Sequence, residues 1–235
     1  MLFSEYLNTP DLDFASGVTL LIDKPLTWTS FNAVNKIKHS IKNHPSFVKD
    51  GVKLKARVGH AGTLDPLATG LLIICTGKMT KQIESYMGME KEYTGTFMLG
   101  ATTPCFDLEK EVDQTFPTEH ITEEMILEAA KKFTGLQQQT PPVFSAIKVG
   151  GKRSYDMARA GQEVELKSRE IDIRSFVIEK INMPEISFRI VCSKGTYIRS
   201  IARDFGLELN SGAHLTSLRR ERIGEFDVKD SLSLL

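Results

Sequence analysis

The chain has 235 residues, 41% hydrophobic and 26% charged, which is ordinary for a globular core and excludes wholesale disorder. Its 30 basic and 30 acidic residues cancel; taken alone, that disfavours nucleic acid as a partner, because phosphate-binding domains usually carry a basic surplus. Cys75, Cys105 and Cys192 lie far apart without CxxC spacing, so they read as unpaired, reduced thiols of a cytoplasmic protein rather than as a zinc cluster.

The start, MLFSEYLNTPDLDF, carries acids where a secretory signal needs a basic segment, and the longest apolar run, LLIIC, is far shorter than the ~20 residues of a membrane span. A cytoplasmic protein with no membrane association is therefore expected. The charge is unevenly spread. Residues 36–57 hold seven Lys or Arg against Asp50, and residues 104–130 hold eight acids against Lys110. That asymmetry is compatible with a basic face on a neutral molecule, and equally with two solvated charged surfaces.

GVTLLID at 17–23 reads as a buried strand ended by Lys24-Pro25, and Thr29 or Ser30 caps an amphipathic helix running to about residue 42. NHPSFVKDGVKLKAR reads as a long loop or hairpin, LLIIC as a buried strand, GKMTKQIESYM as a short helix and KEYTGTFML as a strand. ITEEMILEAAKKFTG has helical spacing closed by Gly135. VFSAIKV is expected to be a strand, followed by a turn at Gly150-Gly151 and a short helix near YDMARAG. IDIRSFVIEKI and EISFRIVCS pair as antiparallel strands, a helix spans 197–209, and a last strand lies near HLTSLRRERIG. Without regular βαβ alternation, this order points to an α+β fold with a mixed, largely antiparallel sheet flanked by helices, in a single domain over 1–235.

The stretch GHAGTLDPLAT at 59–69 has neither a helical nor a strand period. Pro66 biases Asp65 away from helical geometry, and Gly59 and Gly62 permit turns closed to other residues. Such a loop holds one carboxylate out of regular structure; the competing reading makes Asp65 the cap of a helix beginning at Pro66. In SKGTYIRSIARD, Tyr197 and Arg199 leave the Gly195 turn together, and an arginine there can hold a carboxylate ionised or simply lie on the surface. LRRER, beside His214, suits phosphates or a solvated edge equally. GGKRS lacks the upstream glycine spacing of a phosphate loop.

GHAGTLDPLATGLLIICTGKMTK resembles the signature of the TruB family of bacterial tRNA pseudouridine-55 synthases. LLIDKP, KEYTGTFMLG, PPVFSAIKVGGKRSYDMARAG and CSKGTYIRSIARDFG with GAHLTSLRR agree in the family's order, so the resemblance runs from about residue 17 to 230. It implies the pseudouridine synthase fold with a central active-site cleft, and an enzyme that isomerises uridine in the tRNA T-loop without cofactor or metal. It implies further that the enzyme works as a monomer on the T-stem-loop with no obligatory protein partner. By it, Asp65 attacks the nucleoside of a flipped uridine, Arg199 keeps that carboxylate ionised, and Tyr93 stacks on the base and assists proton removal from C5.

By the same resemblance His60 helps hold the RNA loop open, and Tyr197 and Leu218 line the uracil pocket. Lys24, Lys148, Arg153, Arg219 and Arg220 are expected near phosphates. Members commonly carry a C-terminal PUA domain; none is expected here, and the basic segment, about 40–57, is expected to compensate in gripping tRNA. The turn GATTPCFDLEKE departs from the family's pattern, and Asp107 receives no role. Two rivals from other classes are a tRNA-binding folding factor and a hydrolase that uses Asp65 covalently.

Overall fold

The structure is a computed structural model. It describes residues 1–235 apart from 10, 50, 146, 160–163 and 165, and apart from the side chains of 49, 53, 148, 149, 152, 153, 156, 158 and 159. In chain order the main elements begin with β1 (Thr19–Lys24), α1 (Ser30–Ile41), β2 (Ala68–Thr76), β3 (Lys91–Leu99) and α2 (Glu123–Lys132). There follow β4 (Gly135–Gln139), β5 (Arg169–Asn182), β6 (Glu185–Cys192), α3 (Ile198–Glu208) and β7 (Ala213–Ile223). The sheet they build is mostly antiparallel, and the class is α+β. The residues group into two units, Met1–Tyr93 with Leu218–Leu235 and Thr94–Ser217, whose boundaries fall inside β3 and β7.

In the first unit β1 pairs antiparallel with β2, which also carries the short strand Val58–His60 antiparallel and β7 parallel. The run LLIIC is buried throughout because β2 is covered on both faces. α1 starts where the sequence places it: Thr29 accepts from the Asn32 backbone N–H, and Ala33, Val34, Ile37 and Ile41 face inward. A fully buried isoleucine stabilises by about 1.5–3 kcal/mol, so this face rather than propensity holds the helix. The expected loop or hairpin after α1 is a short hairpin, Val48–Lys49 with Val52–Lys53. GKMTKQIESYM divides into a 3-10 turn, Gly77–Gln82, and a helix, Ile83–Gly88.

In the second unit β5 and β6 form the expected antiparallel pair, and β4 adds to β5 at Arg169↔Gln139 through Ile173↔Gly135. Phe97, Phe176, Phe188 and Phe205 pack as one aromatic cluster, with ring centroids 4.2 to 6.3 Å apart. Two expectations are corrected. Gly135, with φ +100°, begins β4 instead of closing α2, which ends at Lys132 with Phe133 as its cap. Among the described residues of VFSAIKV only Lys148–Val149 forms a strand, pairing with Lys152–Arg153 around the Gly150-Gly151 turn. Gly150 and Gly151 both have positive φ there, as the turn requires.

The parallel register of β7 on β2 depends on Gly70, which lies opposite Arg220. Its φ is +98°, and a Cβ there would overlap the backbone carbonyl oxygen of Arg220 and lie 2.8 Å from its nitrogen. Gly70→Ala should therefore lower the unfolding free energy by at least about 2 kcal/mol, combining left-handed strain with strand displacement. A denaturant midpoint unchanged from the wild type would contradict this close approach.

Candidate active site

Antiparallel pairing of Val58–His60 with Ile74–Thr76 delivers the chain into the loop that holds Asp65. Gly62 turns it with φ +92°, a conformation costly for any side chain. The residues around Asp65 are then anchored one after another. Arg220 donates to the carbonyls of Gly62 at 3.1 Å and Thr63 at 3.5 Å. The Ser30 hydroxyl accepts from the Leu64 N–H at 2.8 Å and donates to the Leu64 carbonyl at 3.1 Å. The Pro66 carbonyl accepts from Thr27, and the Asp65 carbonyl accepts from Ala68 across a four-residue turn. No helix follows Pro66; the chain enters β2 directly, so Asp65 is not a helix cap. What results is a half-buried aspartate on a backbone held from both sides.

Two cations lie buried behind this turn. Lys24 is 0% exposed, its Nζ donating to the carbonyls of Trp28 at 2.6 Å and Pro25 at 3.0 Å. Burial pushes its pKa down to about 8; the Asp65 carboxylate opposes that, and the Arg220 charge adds to it. Arg220 is 1% exposed and donates a third bond, from Nε to the Leu71 carbonyl at 2.7 Å. Both were expected near phosphates. In the structure both are buried and donate to backbone carbonyls inside the unit. Arg219, half-exposed, forms a bidentate pair with Asp23 at 2.8 and 3.0 Å.

His60 lies half-buried at the end of its strand, with Nδ1 buried and without a hydrogen-bond partner among the described residues. Burial pushes the imidazole pKa below its ordinary value, the Gly62 backbone opposes this, and the Arg220 charge adds to it. The ring is therefore neutral near pH 7. Leu218 pairs with Ala68 in the parallel register, three residues past Asp65, and its carbonyl receives the Thr69 hydroxyl. Tyr93 is buried on β3, whose start is set by Lys91 donating to the Met87 and Met89 carbonyls.

Tyr197 and Arg199 belong to the second unit. Gln139, at the end of β4, clasps the Tyr197 backbone with both ends of its amide, fixing the start of α3. Arg199 is buried, donates to the carbonyls of Cys105 at 3.2 Å and Phe144 at 2.9 Å, and sets Nε 3.6 Å from the Asp107 carboxylate. Asp107, given no role by the sequence, is thus a buried counter-charge for the arginine. Its other oxygen accepts from the Glu109 N–H.

Arg169 was also missed; it donates to the Gly195 carbonyl and places its guanidinium 4.8 Å over the Tyr197 ring. Neither residue announces itself in sequence, because nothing local marks a charge as buried or stacked. The side chains of Lys148 and Arg153 lie outside the described residues. Among the described residues no group of His, Cys, Asp or Glu is arranged to hold a metal ion, and no helix is long and apolar enough to cross a membrane.

The pKa of Lys24 near 8 lies below the 10.5 of an exposed lysine. Between those values the unfolded chain binds more protons than the folded one, so this group makes stability rise with pH. Urea titrations of wild type and Lys24→Met at about pH 7.5 and about pH 10 should show the difference shifting toward the wild type at the higher pH. A difference independent of pH would contradict a buried, titrating Lys24.

Comparison with known proteins gives the geometry a family. The profile described as "TruB family pseudouridylate synthase (N terminal domain)" matches residues 49–198. A protein of Flavobacterium johnsoniae named tRNA pseudouridine synthase B is 58% identical over 226 residues, covering 96% of each chain. One of the same name from Phocaeicola vulgatus is 57% identical, covering 95% of this chain and 92% of its own. Among solved structures, a Cbf5-Nop10-Gar1 complex contains a chain with TM-score 0.69 and 27% identity, matched over 94% of this chain and 53% of its own length. The archaeal box H/ACA sRNP Nop10-Cbf5 complex gives 0.66 and 25%, over 97% of this chain and 55% of the other. Fold, ordered motifs and relatives agree that this chain belongs to the TruB family of pseudouridylate synthases.

Proposed function

We propose that this protein isomerises uridine to pseudouridine in tRNA, at position 55 of the T-loop, with the Asp65 carboxylate as nucleophile. The observation that carries the reading is the anchored turn: the residues flanking Asp65 are bonded to Arg220, Ser30 and Thr27, while Asp65 itself is only half-buried. The relatives of high identity bear the name tRNA pseudouridine synthase B.

The target base is stacked in the folded RNA and has to be everted first, at a cost of a few kcal/mol. Asp65 then attacks the nucleoside, the C1′–N1 bond breaks and the uracil turns; C5 bonds to C1′ as the carboxylate leaves, Tyr93 assists loss of the C5 proton, and N1 takes a proton up. No atom is lost or gained, and the carboxylate is regenerated. Covalent catalysis of this kind needs a carboxylate that is ionised and already placed, because effective concentration depends on pre-set geometry. Tyr93 is assigned the ring beneath the base, Arg199 a cation of the reaction, His60 a wedge in the RNA loop, and Tyr197 and Leu218 the contacts to uracil. Neutral His60 suits that place, since it can enter the RNA without carrying a buried charge. The protein acts in the cytoplasm as a monomer, without cofactor, metal or obligatory protein partner.

Incubated with unmodified tRNA, the wild type should form pseudouridine at position 55, whereas Asp65→Asn and Asp65→Ala should lose at least about 10³-fold in single-turnover rate. Either variant within tenfold of the wild type would remove Asp65 from the nucleophile's role. The basic segment yields a second expectation. Lys36, Lys38, Lys42 and Lys55 are exposed. If they neutralise phosphates, reversing all four to Glu should flatten the dependence of tRNA affinity on salt. An unchanged slope would take the segment out of the interface.

A further inference from the structure

A guanidinium buried to 1% exposure is an expensive object in a protein interior. Arg220 has no carboxylate within ion-pair distance among the described residues; its charge is met by the carbonyls of Leu71, Thr63 and Gly62. A hydrophobic side chain of similar volume would fill the same space without desolvating a charge. The choice of arginine therefore matters for what its donors hold. One of the three carbonyls belongs to β2, and the other two belong to the residues three and two positions before Asp65. The backbone of Arg220 is fixed as well, because Gly70, without a Cβ, lets β7 close onto β2 at that residue.

We propose that Arg220 is a positioning residue for the isomerisation, acting through the Gly62 and Thr63 carbonyls to hold the turn that presents Asp65. The inference rests on the reading of Asp65 as nucleophile. It assigns Arg220 no contact with RNA, in contrast to the exposed lysines of α1. Its reach is structural in origin: β7 sets the backbone of Arg220, three donors span from β2 to the loop, and the Ser30 hydroxyl and Thr27 N–H hold the loop's far side. Without the guanidinium, the Gly62 and Thr63 carbonyls lose these bonds and the turn loses its inner anchor. A displacement of about 1 Å at a reacting group costs on the order of 10²-fold in rate.

The test compares Arg220→Met, Arg220→Lys and Asp65→Asn with the wild type, reading folded fraction, tRNA Kd and single-turnover rate per folded molecule. The expected result for Arg220→Met is an unchanged Kd with a rate reduced about 100-fold. Arg220→Lys, which keeps the charge but cannot span three carbonyls, should recover part of that rate. A folded Arg220→Met at wild-type rate, or one whose whole loss lies in Kd, would overturn the proposal. Should Arg220→Met fail to fold, Arg220→Lys decides: a reduced rate at unchanged Kd supports the role, and a wild-type rate overturns it. If Asp65→Asn keeps its rate, the nucleophile reading is what fails. If it is inactive while the Arg220 variants keep the wild-type rate, only this inference fails.

Discussion

The structure around the candidate nucleophile depends on one constraint, a turn whose backbone polar groups are taken up by side chains and backbone on both sides. Gly62 and Thr63 are held by Arg220, Leu64 by Ser30, and Pro66 by Thr27. Thr27 keeps φ +70° to reach Pro66, a backbone conformation rare for a β-branched residue. A segment without regular hydrogen bonds of its own thereby acquires the rigidity of the strands beside it. For covalent catalysis that rigidity substitutes for the entropy a mobile carboxylate would lose in the transition state.

Electrostatics reinforce the mechanics. Lys24 and Arg220 are both buried in the first unit, and each is satisfied by carbonyl oxygens rather than by a dedicated ion pair. The Asp65 carboxylate is the largest influence keeping Lys24 protonated against burial. In the second unit Arg199 and Asp107 form a buried pair of their own.

Periodicity made most of the scaffold legible. The apolar run of β2, the Thr29 cap of α1 and the alternation of β5 and β6 each identify their element because local pattern and burial coincide there. β4 escaped since its Gly-Leu-Gln-Gln-Gln sequence offers no alternation; its pairing with β5 makes it a strand. VFSAIKV looked like a strand by composition, yet among its described residues only the last two form a strand, after two prolines. At the site, Asp65 stood out because Pro and Gly punctuate its loop, while nothing in the sequence shows that Lys24 and Arg220 are buried. Sequence shows that a residue is charged but not whether carbonyls wait for it in the interior. For the same reason Asp107 and Arg169 gave no signal.

The most direct test of the account is the structure of the protein bound to a T-stem-loop RNA carrying a non-isomerisable uridine analogue at position 55. The account requires that nucleotide to be everted, with an Asp65 carboxylate oxygen within about 3.5 Å of its sugar or base. It also requires the Gly62–Pro66 backbone to be unmoved from its anchors. A uridine still stacked in the loop, or everted against a different acid while Asp65 faces protein, would contradict it.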